Sequence, residues 1–179
     1  MNIPNKLTLL RVILIPFFIA AMYITQIPGN RYIAFAIFAI ASITDALDGY
    51  IARRDKLITD FGKFMDPLAD KLLVCSALLI FVDFGLLPGI AAIIIISREF
   101  IISGFRLAAL GKGRVIAAGW LGKIKTVLQM FMCFAMILDL PFGFWTYVRL
   151  VLMILAVAFT VISLVDYIFK NADVLKEAA

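Results

Sequence analysis

The sequence predicts an all-α, polytopic membrane protein with six transmembrane helices, and three observations predict it. Of the 179 residues, 64% are hydrophobic and only 16% are charged, whereas soluble domains have an apolar share nearer about 45–50%. The apolar residues come in six long runs, at 7–25, 32–51, 64–83, 87–107, 118–139 and 144–169, each close to the ~20 residues a helix needs to cross a bilayer. The basic residues gather in alternate connections, as the positive-inside rule asks of a chain that crosses repeatedly. Six such runs leave no length for a separate soluble domain, so residues 1–179 are expected to form one membrane domain.

Seventeen Lys and Arg against 12 Asp and Glu give a net charge of +5. In a soluble chain that excess would suggest nucleic acid; here its placement argues for membrane topology instead. Lys6 and Arg11 open the first run, and Arg53, Arg54, Lys56 and Lys63 lie between the second and third. Arg106, Lys112, Arg114, Lys123 and Lys125 surround the connection between the fourth and fifth, and Lys170 and Lys176 follow the sixth. The remaining connections add little beyond Arg31. Both termini are therefore expected in the cytoplasm of a multi-pass cell-membrane protein, with no nucleic-acid partner. Cys75 and Cys133 sit inside apolar runs without a redox signal. Histidine is absent, which excludes His-based zinc sites and His general bases.

Taken in order, Met1 to Lys6 reads as a short interfacial segment, with Pro4 and Asn5 leading into the first helix. Asn5, Thr8 and Arg11 recur at intervals of three, along one side of that helix. A polar helix entry with Arg11 snorkelling to headgroups would account for them; so would a row of ligand contacts. The run 7–25 lacks an A-x-A-like cleavage site and precedes five more, so it reads as a retained span. Gln26-Ile-Pro28-Gly29-Asn30 is a turn. The second helix runs inward from Tyr32 and carries Asp45 and Asp48 near its cytoplasmic end. A short basic connection, Arg53 to Phe61, makes the second and third helices antiparallel neighbours. That brings the first pair of acids toward Asp66 and Asp70. Pro67 fits a first turn, or marks a local bend that aims Asp66.

These four carboxylates organise the chain. At about 100° per residue, Asp45 and Asp48 lie about 60° apart on a helix and Asp66 and Asp70 about 40° apart. Gly49 and Ala52 share the face of the first pair, which is therefore small-walled as well as acidic. Interfacial acids paired with Arg53, Arg54 and Lys71 would explain one such residue more readily than four, because intramembrane ionisable residues are functional by default. Four ionised carboxylates a few ångströms apart would repel by about 4 kcal/mol per pair at an effective dielectric near 20. Two divalent cations cancel those charges, and hard ions such as Mg²⁺ take oxygen ligands. The acids read as a metal site.

The fourth run holds Ser97-Arg98-Glu99 well inside apolar sequence, with Arg106 about two turns on. Neighbours on a helix do not face each other, so Arg98 and Glu99 are expected to find different partners. A buried pairing that only holds helices together is the plainer reading of them. Lys123 and Lys125, opening the fifth run, serve either as positive-inside anchors or, with Arg98 and Arg106, as a cluster around a phosphate beside the metals. Met130, Phe131, Met132 and Phe134 are packing or lipid contacts. Trp145, Tyr147 and Arg149 fit an outer interfacial belt. The tail from Lys170 to Ala179 is a short polar end.

The pattern D-x-x-D-G-x-x-A-R, eight residues, G-x-x-x-D-x-x-x-D is filled by Asp45, Asp48, Gly49, Ala52, Arg53, Gly62, Asp66 and Asp70. It resembles the signature of the CDP-alcohol phosphotransferases. Pro4-Asn5, Thr8 and Arg11 also resemble that family near its N-terminus. The stretch I-S-R-E-F-I-I-S-G-F-R, with G-K-I-K-T, resembles the phosphatidylglycerophosphate synthase branch. The resemblance implies a CDP-diacylglycerol donor, CMP as leaving group, two divalent cations (Mg²⁺ or Mn²⁺) and a homodimer. It implies Asp45, Asp48, Asp66 and Asp70 as metal ligands, with Asp70 doubling as the general base. Asn5, Thr8, Arg11, Gly49, Ala52, Arg53 and Gly62 then face the nucleotide and diphosphate. Arg98, Arg106, Lys123 and Lys125 take the phosphate of an anionic acceptor, with glycerol 3-phosphate favoured.

Chemistry alone leaves that acceptor open to inositol phosphate, serine or a second phosphatidylglycerol, because the metal site would be common to all. A divalent-cation carrier is the rival from another class. Carriers place their site near the midplane between repeated halves, whereas these acids lie at the cytoplasmic end of one hairpin that no second half copies.

Overall fold

The computed structural model describes the backbone of residues 3–55, 60–111, 116 and 119–171, and the side chains of 7–44, 68, 69, 71–109, 116 and 119–171. Among them the chain forms α-helices and no strand: α1 (Ile3–Tyr23), α2 (Asn30–Asp55), α3 (Asp60–Asp83), α4 (Gly89–Gly111), α5 (Trp120–Leu138) and α6 (Gly143–Lys170). The six apolar runs therefore each become one helix. Among the described residues, α5 and α6 are long and apolar enough to cross a membrane, with shorter apolar stretches at Leu7–Tyr23 and Asn30–Thr44. In α4, Arg98, Glu99 and Arg106 interrupt the apolar sequence.

Residues 3–6, expected to lie in a short interfacial segment, belong to α1, which begins at Ile3; a proline at position 4 is tolerated in a first turn. Pro67 is not in the first turn of α3, which starts at Asp60. It falls two turns in, where a proline has no N–H to give to the ladder.

The helices divide into two compact units, Met1–Phe84 with Met136–Asp139, and Gly85–Ala135 with Leu140–Ala179. In the first, α1 packs on α2 and on α3, and α2 packs on α3. The inward residues recur at alternating steps of three and four, the spacing of a helix stripe facing a core. On α1 they are Thr8, Arg11, Ile15, Phe18 and Met22; on α2, Ala34, Phe38 and Ala41; on α3, Leu73, Ala77 and Ile80. Phe18 and Phe38 meet with ring centroids 5.4 Å apart.

The connections at one end of this unit are fastened by polar contacts. Gly29 turns the chain between α1 and α2 at φ +75°, a left-handed conformation that costs glycine nothing. Asn30 Nδ2 donates to the Ala21 carbonyl at 3.1 Å, giving α1 a partner for one of its last carbonyls. The Tyr23 phenol donates to Asp83 Oδ2 at 2.8 Å, tying the ends of α1 and α3. Asp139, at φ 39°, pairs with Arg31 at 2.7 Å.

In the second unit α4 packs on α6. Phe105 and Tyr167 meet edge to face at 6.1 Å, and Trp145 Nε1 donates to the Ala135 carbonyl at 3.0 Å. Trp145, expected in an outer belt, is therefore tied to the end of α5, while Tyr147 stays exposed. Met132 is enclosed and Phe131 exposed, one packing and one facing outward. Both cysteines are free thiols.

Candidate active site

The inward stripes of the first unit continue by register into the acidic positions. On α2 the buried series 34, 38, 41 extends to 45, 48 and 52 with the same alternation of four and three. On α3 the buried series 80, 77, 73 extends backwards to 70 and 66. α2 and α3 follow one another in the chain and pack on each other. The side chains of Asp45, Asp48, Gly49, Ala52, Arg53, Gly62, Asp66 and Asp70 lie outside the described set, as does that of Asn5. Among the described residues there is no cluster of three or more His, Cys, Asp or Glu.

Among the described residues of the first unit, Thr8, Arg11 and Thr44 are polar and enclosed. Arg11 is fully buried and Thr8, one turn earlier on α1, is 1% exposed. Arg11 Nε donates to the Ala41 carbonyl at 3.3 Å, and Thr44 Oγ1 donates to that same carbonyl at 2.8 Å. Ala41 lies one turn before Asp45. Snorkelling is therefore overturned for Arg11: its guanidinium is turned into the helix packing, not out toward headgroups. Burying an arginine is costly unless it is paired, so this placement ties the cation to the acid end of α2.

The second unit holds the basic residues. Arg98 is 8% exposed and Lys125 2%. Arg98 Nη1 donates to Glu99 Oε1 at 3.1 Å, and Lys125 Nζ donates to the same oxygen. Arg98 and Glu99 thus do not take different partners as expected. The spacing rule describes Cβ directions, and a guanidinium on a flexible three-carbon arm folds back across about 100° of helix to reach its neighbour. On α5, Gly122 stands one turn before Lys125, and a Cβ there would come within 3.3 Å of Arg98 Nη2. The structure therefore brings Arg98, Glu99, Gly122 and Lys125 together. Lys123 is exposed, two residues from Lys125 and about 200° around the helix. Arg106 is half-buried, with its Nε enclosed and lacking a hydrogen-bond partner among the described residues. Sequence reasoning missed the joining role of Glu99; the apolar run around an adjacent acid and base was the available signal.

Comparison with known proteins places these residues in a family. The model of the CDP-alcohol phosphatidyltransferase family matches residues 1–162. A relative from Bacillus subtilis (strain 168), named CDP-diacylglycerol–glycerol-3-phosphate 3-phosphatidyltransferase, is 46% identical over 189 positions, covering 98% of this chain and 97% of its own. One of the same name from Haemophilus influenzae is 43% identical over 93% of this chain and 91% of its own. Another from Escherichia coli (strain K12) is 39% identical over 98% of each. Through a match that takes in α1 to α5 and most of α6, the chain belongs to the CDP-alcohol phosphatidyltransferase family.

Proposed function

We propose that this enzyme transfers a phosphatidyl group from CDP-diacylglycerol to glycerol 3-phosphate, giving phosphatidylglycerophosphate and CMP. Relatives of that activity by name, similar over nearly the whole chain, support the two substrates. The observation that carries the site is the register of α1, α2 and α3, whose enclosed stripes run on into Thr8 and Arg11, into 45 and 48, and into 66 and 70.

An all-carboxylate donor set on neighbouring helices suits hard cations, so Asp45, Asp48, Asp66 and Asp70 would hold two divalent ions, Mg²⁺ or Mn²⁺. Such a pair, when bound, neutralises charge on the attacking and leaving oxygens of a phosphoryl transfer. The chain's own residues do the rest. Asp70 takes the proton of the acceptor hydroxyl as its oxygen bonds to the phosphatidyl phosphorus. The bond from that phosphorus to the CMP oxygen breaks, and CMP leaves with the electron pair. Asn5, Thr8, Arg11 and Arg53 orient the nucleotide and diphosphate. Gly49, Ala52 and Gly62 leave the room a larger side chain would fill. Arg98, Arg106, Lys123 and Lys125 take the acceptor's phosphate, for which arginine offers paired donors.

One substrate is anchored in lipid and the other is a soluble anion, so the reaction belongs at the cytoplasmic face of the membrane. The same reading carries six crossings by one membrane domain, both termini in the cytoplasm, and a homodimer, for which family resemblance is the support. The test is CMP release from CDP-diacylglycerol by purified protein, with and without Mg²⁺ and glycerol 3-phosphate. Release is expected only with both present, and almost none from Asp70→Asn. Release without an acceptor, or from that variant at the wild-type rate, sinks the mechanism.

A further inference from the structure

We propose that the outward face of α6, from Tyr147 to Phe169, is a lipid-contacting wall, with acyl chains covering its middle and the two aromatics standing at the two headgroup levels. This inference concerns a surface that the transfer reading leaves unused and does not depend on that reading.

A helix that faces water turns its polar residues out; α6 does the reverse. Every exposed residue from Leu150 to Val165 is Val, Leu or Ile. The two polar residues of that stretch, Thr160 and Ser163, are enclosed. Each satisfies its hydroxyl within its own helix, Thr160 Oγ1 donating to the Ala156 carbonyl at 2.6 Å and Ser163 Oγ to the Thr160 carbonyl at 3.1 Å. An exposed apolar surface of this extent marks contact with a membrane or with another protein.

The ends of the face fit a bilayer. Tyr147 and Phe169 are 71% and 79% exposed. Their separation of 22 positions sets them about 33 Å apart along the axis and about 40° apart around it. A hydrocarbon core is about 30 Å thick, and aromatic side chains settle at its two edges. Charge keeps to the same limits: none lies between Arg149 and Asp166, and beyond them Lys170 Nζ pairs with Asp166 at 2.8 Å. At the Tyr147 end the edge is held firmly, since Trp145 Nε1 donates to the Ala135 carbonyl at 3.0 Å and Phe144 meets the Trp145 ring at 6.1 Å.

The occupant is lipid rather than a helix of a second copy. Helices associate inside a bilayer through small residues that let their backbones approach. On α6 the small side chains of Ala156 and Ser163 are buried, and the exposed positions of the span carry only branched aliphatic groups. Such a face holds another backbone off, while flexible acyl chains fill the spaces between its side chains.

The test places a nitroxide on cysteines introduced one at a time by Tyr147→Cys, Ile154→Cys, Ile162→Cys and Phe169→Cys, in the full chain with Cys75 and Cys133 replaced by alanine. The protein is reconstituted in vesicles of phosphatidylglycerol and phosphatidylcholine, and collisions with oxygen and with a water-soluble nickel chelate are measured. Positions 154 and 162 each lie seven residues inside one end of the face, so both should show the same high ratio of oxygen to nickel collisions, with the ratio severalfold lower at 147 and 169. Low collision rates with both reagents at 154 and 162 would reveal a covering protein surface such as a second copy, and would overturn the proposal. Frequent nickel collisions there, the sign of water, overturn it too, as does one ratio at all four positions. If the cysteine-free chain does not fold, Ile154→Trp in the otherwise unchanged protein decides. Lipids brominated on the acyl chain should quench the fluorescence it adds to wild type, and an added signal that they leave intact refutes the lipid wall.

Discussion

Arg11 Nε donates to the carbonyl of Ala41 across the α1–α2 packing, at 3.3 Å and fully out of solvent. That carbonyl also receives the Thr44 hydroxyl, so it serves as an anchor for two side chains one turn from Asp45. The relationship fixes where the cation of α1 stands against α2, and it does so through backbone that no side-chain substitution can remove. Arg11→Met should therefore do two things. It removes the cation from an enclosed polar site, and CMP release should fall about tenfold or more, as for other lost charge-assisted contacts. Arg11→Lys should keep the charge but lose the planar fork, giving an intermediate rate. Equal rates for all three proteins would mean that Arg11 only packs.

Metal removal gives a second prediction. Wild-type protein stripped with EDTA should lose CMP release and regain it on adding Mg²⁺ or Mn²⁺, because oxygen donors hold hard ions reversibly. Asp45→Asn should need several-fold more Mg²⁺ for half-maximal rate, roughly the effect of removing one charged ligand. A Mg²⁺ titration of both proteins measures this, and superimposable curves would take Asp45 out of the ligand set.

Lys125 and Lys123 offer a contrast within one helix. Both were candidates for the acceptor phosphate, but Lys125 is 2% exposed and bonded to Glu99 while Lys123 faces outward. Lys125→Met leaves Glu99 with one base fewer in an enclosed site, a change worth about 3–5 kcal/mol when a buried pair is broken. Lys123→Met should stay within about 0.5 kcal/mol in stability, as exposed substitutions do. Steady-state KM for glycerol 3-phosphate and thermal unfolding in detergent compare the two. A larger effect from Lys123 would reverse the assignment.

These contrasts show what was readable in the residues alone. The six helices were legible because apolar runs of span length have few other outcomes, and the helix bounds fall within a few residues of those runs. The four acids stand out in the sequence because carboxylates in so apolar a chain demand compensation, but their side chains lie outside the described residues. Pro67 was misplaced because the polar connection before it hides where α3 begins. The Arg98–Glu99–Lys125 junction was not legible because Cβ spacing says nothing of how far a long side chain bends. The Tyr23–Asp83 and Arg31–Asp139 contacts were equally hidden, since each joins residues remote in sequence whose meeting depends on how the helix ends are set.

Gly122 provides the last prediction. Replacing a helical glycine with alanine ordinarily stabilises by about 0.5–1 kcal/mol, since it restricts the unfolded chain and favours the helix. At this position the added Cβ would stand 3.3 Å from Arg98 Nη2, tighter than comfortable van der Waals contact, so the guanidinium must give by a few tenths of an ångström. Arg98 is enclosed and already bonded to Glu99, which restricts that movement. Gly122→Ala is therefore expected to leave the melting temperature near that of wild type while raising KM for glycerol 3-phosphate about threefold to tenfold, the cost of a slightly misplaced charged contact. Gly122→Val, larger and β-branched, should do more on both counts. An alanine variant more stable than wild type with unchanged KM would show that the guanidinium has room to spare and that the close approach of α5 to Arg98 sets nothing in acceptor binding.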